Sequence, residues 1–145
     1  MCKQYANKAQ SVSDVRQHLP PKLTLFLILY PMLGTFICQR LYLHLVHVQH
    51  IYPGGYLVHH LFVGLLLLIP SAFCLAFGMR RRLPAIAATV GLGIGSAMVL
   101  DEVVYLVMTK ATDADYVSHT SLYGALVFIC LGVGLVLGIY WSQRE

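Results

Sequence analysis

Charged residues are scarce in this chain. Only 11% of its 145 residues are Asp, Glu, Lys or Arg, whereas a soluble domain carries about 25%. So few charges argue against a water-soluble monomer, because they cannot cover its surface. The 58% share of hydrophobic residues also excludes an intrinsically disordered protein. The composition therefore predicts an integral membrane protein, with the lipid bilayer as its main partner.

The sequence also lacks the short motifs of several function classes. Its four cysteines lie far apart with no C-x-x-C pair, which argues against a thiol redox centre, an iron–sulfur cluster or a zinc knuckle. No glycine-rich phosphate loop or G-x-S-x-G elbow is present. The run of three arginines lies between apolar segments, where it sets membrane topology and touches anionic lipid, so no nucleic-acid partner is predicted.

Four apolar runs are each about 20 residues long, the length that crosses a hydrocarbon core of about 30 Å. They span residues 23–43, 56–77, 83–108 and 121–141. The short connections favour one all-α, antiparallel up-down four-helix bundle with no second domain. Residues 1–22 are polar and form a predicted cytoplasmic segment rather than a cleavable signal peptide. Residues 23–145 then form the membrane domain.

The basic residues orient this bundle, since Lys and Arg accumulate in cytoplasmic loops. Both termini are therefore predicted to be cytoplasmic, in a multi-pass protein of the inner (plasma) membrane. Eight of the ten basic residues lie on one side of the predicted bundle: Lys3, Lys8, Arg16, Lys22, Arg80, Arg81, Arg82 and Arg144.

Small residues recur on the third and fourth segments. Gly91-x-x-x-Gly95 and Gly134-x-x-x-Gly138 offer surfaces where helix backbones approach closely. Packing within the bundle is the first interpretation, and a homo-oligomer is the second.

Ionisable residues gather toward the predicted outward side, which holds six of the seven histidines and four of the six acids. Asp101 lies roughly 26 Å along the third segment, about one turn beneath the edge of the apolar slab. Ionisable groups at such depth are costly and mark functional sites by default. Arg40 lies at a similar depth on the first segment and would pair with one acid, leaving the other of Asp101 and Glu102 to be explained.

Spacing within the segments restricts which side chains can meet. His44, His47 and His50 are three residues apart and form a stripe if the first helix continues that far. Consecutive helical residues point about 100° apart. We therefore expect only one of His59 and His60, and only one of Asp101 and Glu102, to face the bundle centre.

Neutral imidazoles and carboxylates from several helices at one level suit a first-row transition metal, here iron or zinc. If the site is catalytic, the metal would activate water or dioxygen against a lipid or another apolar small molecule. Glu102 and Tyr105 would then handle protons. The predicted metal ligands come from this set: His44, His47, His59, His60, Asp101, Glu102 and His119.

Three other interpretations use the same residues. The first is a purely structural network of Arg40, the acids, Tyr105 and histidines, which would satisfy these groups without a ligand. The second is haem held between two histidines on different helices. The third is a proton or ion relay. Composition and spacing leave all three open.

Two motifs resemble those of a group of small bacterial integral membrane proteins. They are His59-His60-x-x-x-Gly64 and Leu100-Asp101-Glu102, followed by a loop with acids and a tyrosine, here Tyr116. The resemblance covers roughly residues 56–124. It implies four helices and the importance of both histidines and both acids, and it implies nothing about a substrate.

Overall fold

A computed structural model describes residues 19–45, 59–79, 81–109 and 113–144. The described chain is all-helical and contains four main helices, which confirms the predicted all-α class and the number of main helices. One additional short helix lies between the third and fourth main helices. The helices are α1 (Pro21–Leu45), α2 (His60–Ala76), α3 (Arg82–Met108), α4 (Asp113–Tyr116) and α5 (His119–Ser142).

Three helices, α1, α3 and α5, are long and apolar enough to cross a membrane. Helix α2 is equally apolar in character but has 17 residues, fewer than the about 20 needed to cross the hydrocarbon core without adjustment. The predicted start of this segment, residues 56–58, lies outside the described residues. The structure thus supports a membrane protein in which α2 is the shortest main helix.

Local signals in the sequence explain where the helices begin and end. Pro21 opens α1, where its missing N–H costs no hydrogen bond. Ser118 caps α5 by accepting a hydrogen bond from the backbone N–H of Ser121. After α2, Gly78 adopts a positive φ of 74°, which only glycine adopts at no steric cost.

Helix α3 is the central helix, and α1, α2 and α5 all pack against it. Its small residues permit this close packing. A Cβ added to Gly93 would lie 2.5 Å from the carbonyl oxygen of Ile28 on α1, and one added to Gly95 would lie 2.6 Å from that of Gly64 on α2. The predicted small surface on this helix is therefore used inside the bundle.

The second small surface behaves differently. A Cβ added to Gly134 or Gly138 on α5 would meet nothing within 4 Å among the described residues. The apolar core instead involves other residues of α5, which pack with α1 and α3. This core consists of Met32, Phe36, Ala97, Ala125 and Ile129.

The bundle has two chemically distinct ends. At one end, which we call the polar end, the side chains of Arg40, His60, Asp101 and Ser121 meet. At the other, which we call the basic end, Pro21, Gly78 and Gln143 line a common cavity. The apolar core lies between them.

Candidate functional site at the polar end

Six ionisable side chains from four helices converge at the polar end. The acids sit on the central helix and are almost completely buried, with Asp101 0% and Glu102 1% exposed. Buried charges at this depth require partners. Those partners come from α1 (Arg40), the start of α2 (His59 and His60) and α4 (Tyr116).

Asp101 is paired on both carboxylate oxygens. The Arg40 guanidinium donates from Nε to Oδ1 at 2.6 Å, and the Tyr116 hydroxyl donates to Oδ2 at 2.6 Å. Charge-assisted bonds of this length are stronger than neutral ones. The Arg40–carboxylate pair anticipated from depth along the helices is therefore present, and Asp101 is the acid it uses.

Arg40 also ties three helices together through its terminal nitrogens. It donates to the carbonyl oxygen of Tyr116 at 3.1 Å and to the carbonyl and hydroxyl oxygens of Ser121 at 3.3 and 3.2 Å. Its guanidinium lies 5.1 Å from the centre of the Tyr116 ring, within range of a cation–π interaction. Arg40 thus fixes the start of α5 and the end of α4 against α1.

Glu102 has different partners. The backbone N–H of Leu61 donates to Oε2 at 2.7 Å, and Nδ1 of His59 lies 2.5 Å from Oε1. Among the described residues, no Lys or Arg forms an ion pair with this carboxylate. Within the described chain, its side-chain partners are the imidazoles of His59 and His60.

His60 lies between the two acids. Its Nε2 is 2.9 Å from the Tyr116 hydroxyl and 3.4 Å from Oδ2 of Asp101, and its Nδ1 is 3.5 Å from Oε2 of Glu102. The hydrogen bonds therefore form a chain in which the Tyr116 hydroxyl connects His60 to Asp101.

Two tyrosines enclose this cluster. Tyr105 is 1% exposed, and its ring meets that of Tyr116 edge-on at 4.7 Å and lies 6.2 Å from that of His59. Burial, and then the neighbouring Asp101 carboxylate, raise the pKa of the Tyr116 phenol well above its usual range. The phenol is therefore neutral and donates a hydrogen bond to Asp101.

The expectation that only one member of each adjacent pair faces inward is wrong. Both histidines contact Glu102, because His59 is the N-cap of α2 with an extended backbone (φ −75°, ψ 144°) and not a helical residue, so the 100° rule does not apply. Both acids are buried because α3 is central: Asp101 faces α1 and Glu102 faces α2.

The remaining predicted ligands lie elsewhere. His44 is exposed in the last turn of α1, and His119 is exposed with its ring stacked on Tyr123 at 6.0 Å. His47 lies outside the described residues. The part of the chain that the structure describes contains no group of three or more His, Cys, Asp or Glu side chains placed to hold a metal ion. Metal and haem binding remain predictions.

Sequence reasoning did not single out Tyr116 or Ser121 as partners in this site. Ser121 contributes through its carbonyl and hydroxyl at a helix start, which spacing does not reveal. Tyr116 had one signal, since a tyrosine after the acidic loop belongs to the pattern that the chain resembles.

In comparisons with known proteins, no family model, no curated protein and no solved structure matches this chain. The chemistry of the cluster is therefore the guide to function. It offers a fixed imidazole, a carboxylate without a Lys or Arg partner in the described chain and a neutral phenol, all at one end of the bundle.

Proposed function

We propose that this chain is a multi-pass membrane protein that binds a transition metal ion, iron or zinc, at its polar end. In this proposal the polar end faces outward and both termini are cytoplasmic, in accord with the positive-inside rule. His59 supplies a metal ligand through Nε2.

The contact between Nδ1 of His59 and Glu102 at 2.5 Å carries this proposal. Histidines that bind metals almost always engage a carboxylate or carbonyl through their other ring nitrogen, which fixes the tautomer and the direction of the ligand lone pair. Glu102 is itself held by the Leu61 backbone. Glu102 therefore orients His59 in this proposal and is not itself a ligand.

Charge supports the same assignment. Arg40 compensates Asp101, but Glu102 has no comparable Lys or Arg partner among the described residues. A buried carboxylate without a compensating charge is strongly unfavourable. A metal ion bound at His59 would supply positive charge next to the oriented carboxylate.

The apolar core favours a site at one surface of the membrane over a path for protons or ions across it. Directly beneath the cluster lie Met32, Phe36 and Ala97, all buried and apolar. A bound metal would act at the outward surface, where it activates water or dioxygen toward a lipid or another apolar small molecule.

The hydrogen-bonded chain from His60 through Tyr116 to Asp101 favours a second candidate function, which is acid–base chemistry without a metal. In that case His59 and His60 exchange protons with a substrate at the outward surface. The two candidates differ in whether the purified protein requires a metal.

The test is elemental analysis of detergent-purified protein, before and after incubation with Fe²⁺ or Zn²⁺. We expect one metal ion per chain in the wild type and none in His59→Ala. Glu102→Gln should weaken metal affinity by about 10- to 100-fold, as for other residues that orient a ligand. His119→Ala is the matched control, since it removes an exposed histidine from the same end, and it should bind metal like the wild type.

Absence of metal in the wild type after incubation would refute metal binding and leave the acid–base candidate. Equal metal content in His59→Ala and His119→Ala would refute the assignment of His59. Circular dichroism of each variant separates loss of a ligand from loss of folding.

A further inference from the structure

A long apolar cavity of about 1140 Å³ opens at the basic end. Its walls come from all four main helices, α1, α2, α3 and α5. Representative lining residues are Leu25, Ile28, Leu92, Leu135 and Val136. The polar groups of the site described above do not line it.

The cavity is deep relative to the thickness of a bilayer. Its lining runs along α1 from Pro21 to Met32 and along α3 from Ala85 to Leu100, which are about 16 and about 22 Å at 1.5 Å per residue. The hydrocarbon core of a membrane is about 30 Å thick, so the cavity extends through at least one leaflet and has room for an extended acyl chain. The apolar core closes it at the upper end, where Met32 belongs to both.

The cavity mouth is positively charged. Tyr140 and Gln143 line it, and the Arg144 guanidinium donates a hydrogen bond to the Tyr140 hydroxyl and lies 4.5 Å from the centre of its ring. Lys22 is exposed directly after the lining residue Pro21. The four acidic residues in the described chain all lie toward the opposite end: Asp101, Glu102, Asp113 and Asp115.

We infer that this cavity binds one anionic phospholipid of the leaflet at the basic end. An acyl chain fills the space between α1 and α5, and the phosphate lies between Lys22 and Arg144. A basic residue near an anionic membrane surface contributes about 1 kcal/mol, which corresponds to a preference of about fivefold for each of the two residues. This inference does not depend on the metal site.

The single tryptophan of the chain provides the readout. Trp141 is exposed next to the lining residue Tyr140. Full-length protein is reconstituted in phosphatidylcholine bilayers that contain a small fraction of brominated phosphatidylglycerol or, separately, brominated phosphatidylcholine. Bromine quenches tryptophan at short range, so quenching measures which lipid lies beside Trp141 at the cavity mouth, and the variants below separate a lipid in the cavity from one on the outer surface.

We expect brominated phosphatidylglycerol to quench at a mole fraction about 25-fold lower than brominated phosphatidylcholine, which is about fivefold for each of the two basic residues. Lys22→Gln and Arg144→Gln should each reduce this preference by about fivefold. Val136→Phe introduces a larger side chain into the cavity wall, which should obstruct the acyl chain and lower the preference. Val127→Phe adds the same volume at an exposed position of α5 outside the cavity and should leave it unchanged.

Equal quenching by the two lipids would mean ordinary annular contact and would overturn the inference. The inference is also wrong if Val136→Phe and Val127→Phe both keep the wild-type preference, since the cavity is then filled by another occupant, such as residues 1–18 or a second copy of the chain. The two charge variants keep the test decisive if Val136→Phe does not fold.

Discussion

The two ends of this bundle are held together by different forces. At the polar end, all four oxygens of Asp101 and Glu102 have protein partners. At the basic end, the described residues form no ion pair between helices, and an open apolar cavity separates α1 from α5. Hydrogen bonds and ion pairs therefore hold the helices together at the polar end, whereas the basic end relies on apolar contacts.

This difference indicates which kind of ligand each end of the bundle can bind. Hydrogen bonds and ion pairs fix angles and distances, so a site that must hold a ligand is expected where they are dense. Apolar contact is non-directional, so the basic end can accept a flexible chain. Experiments that remove one interaction at each end test this division.

The largest expected effect follows from removing the cation at the polar end. Arg40→Gln leaves Asp101 buried without its charge partner, which should lower the free energy of unfolding by about 3–5 kcal/mol. Arg82→Gln removes an exposed arginine at the basic end and should change it by less than about 0.5 kcal/mol. Steric-trapping measurements in detergent give both values. Similar losses in the two variants would contradict the proposed division between the ends.

A smaller effect is expected where α2 and α3 touch through glycine. In Gly95→Ala the new Cβ would lie 2.6 Å from the Gly64 carbonyl oxygen and 2.8 Å from the Leu68 nitrogen, so the backbones must separate. Overpacking of this kind costs about 1–3 kcal/mol. Gly138→Ala is the control because its Cβ meets open space. Thermal unfolding should show a lower Tm only for Gly95→Ala, and an unchanged Tm there would refute the close approach.

The smallest effect concerns the Tyr116 hydroxyl. Tyr116→Phe removes its hydrogen bonds to Asp101 and His60, at a cost of about 1 kcal/mol per bond. The raised pKa of the phenol in the folded state adds a dependence on pH. Above about pH 10 the unfolded chain releases this proton while the folded chain retains it, so stability falls as pH rises.

The free energy of unfolding, measured between pH 8 and 11, should therefore decline less steeply in Tyr116→Phe than in the wild type. The control is Tyr42→Phe, which removes the same group from an exposed position of α1 and should keep the wild-type slope. Identical slopes in all three proteins would contradict a protonated, buried Tyr116.

Much of the fold follows from the sequence because the signals are long. An apolar run of 20 residues between basic or proline-containing turns is sufficient to place a membrane helix, and the predicted ends of three helices agree with the observed ones within about two residues. The pairing of Arg40 with an acid was also predictable, since both lie at the same depth along their helices.

The geometry of the site was less predictable. Two adjacent side chains point in different directions when both residues are helical, but they can contact the same group when the first residue is extended. His59 is extended because α2 begins only at the next residue. Whether both Asp101 and Glu102 are buried depends on how many neighbours α3 has. These are properties of packing, which no local spacing encodes.

The Arg40–Asp101 bond joins residues 61 positions apart, and this separation has a consequence for biosynthesis. At about 5–20 residues per second, the ribosome needs about 3–12 s to reach the acid after the arginine has been made. During this interval α1 waits with an unpaired cation near its end, where its long side chain can extend toward water. Asp101 becomes available only when α3 has been made, so this ion pair cannot form before the third main helix is synthesised.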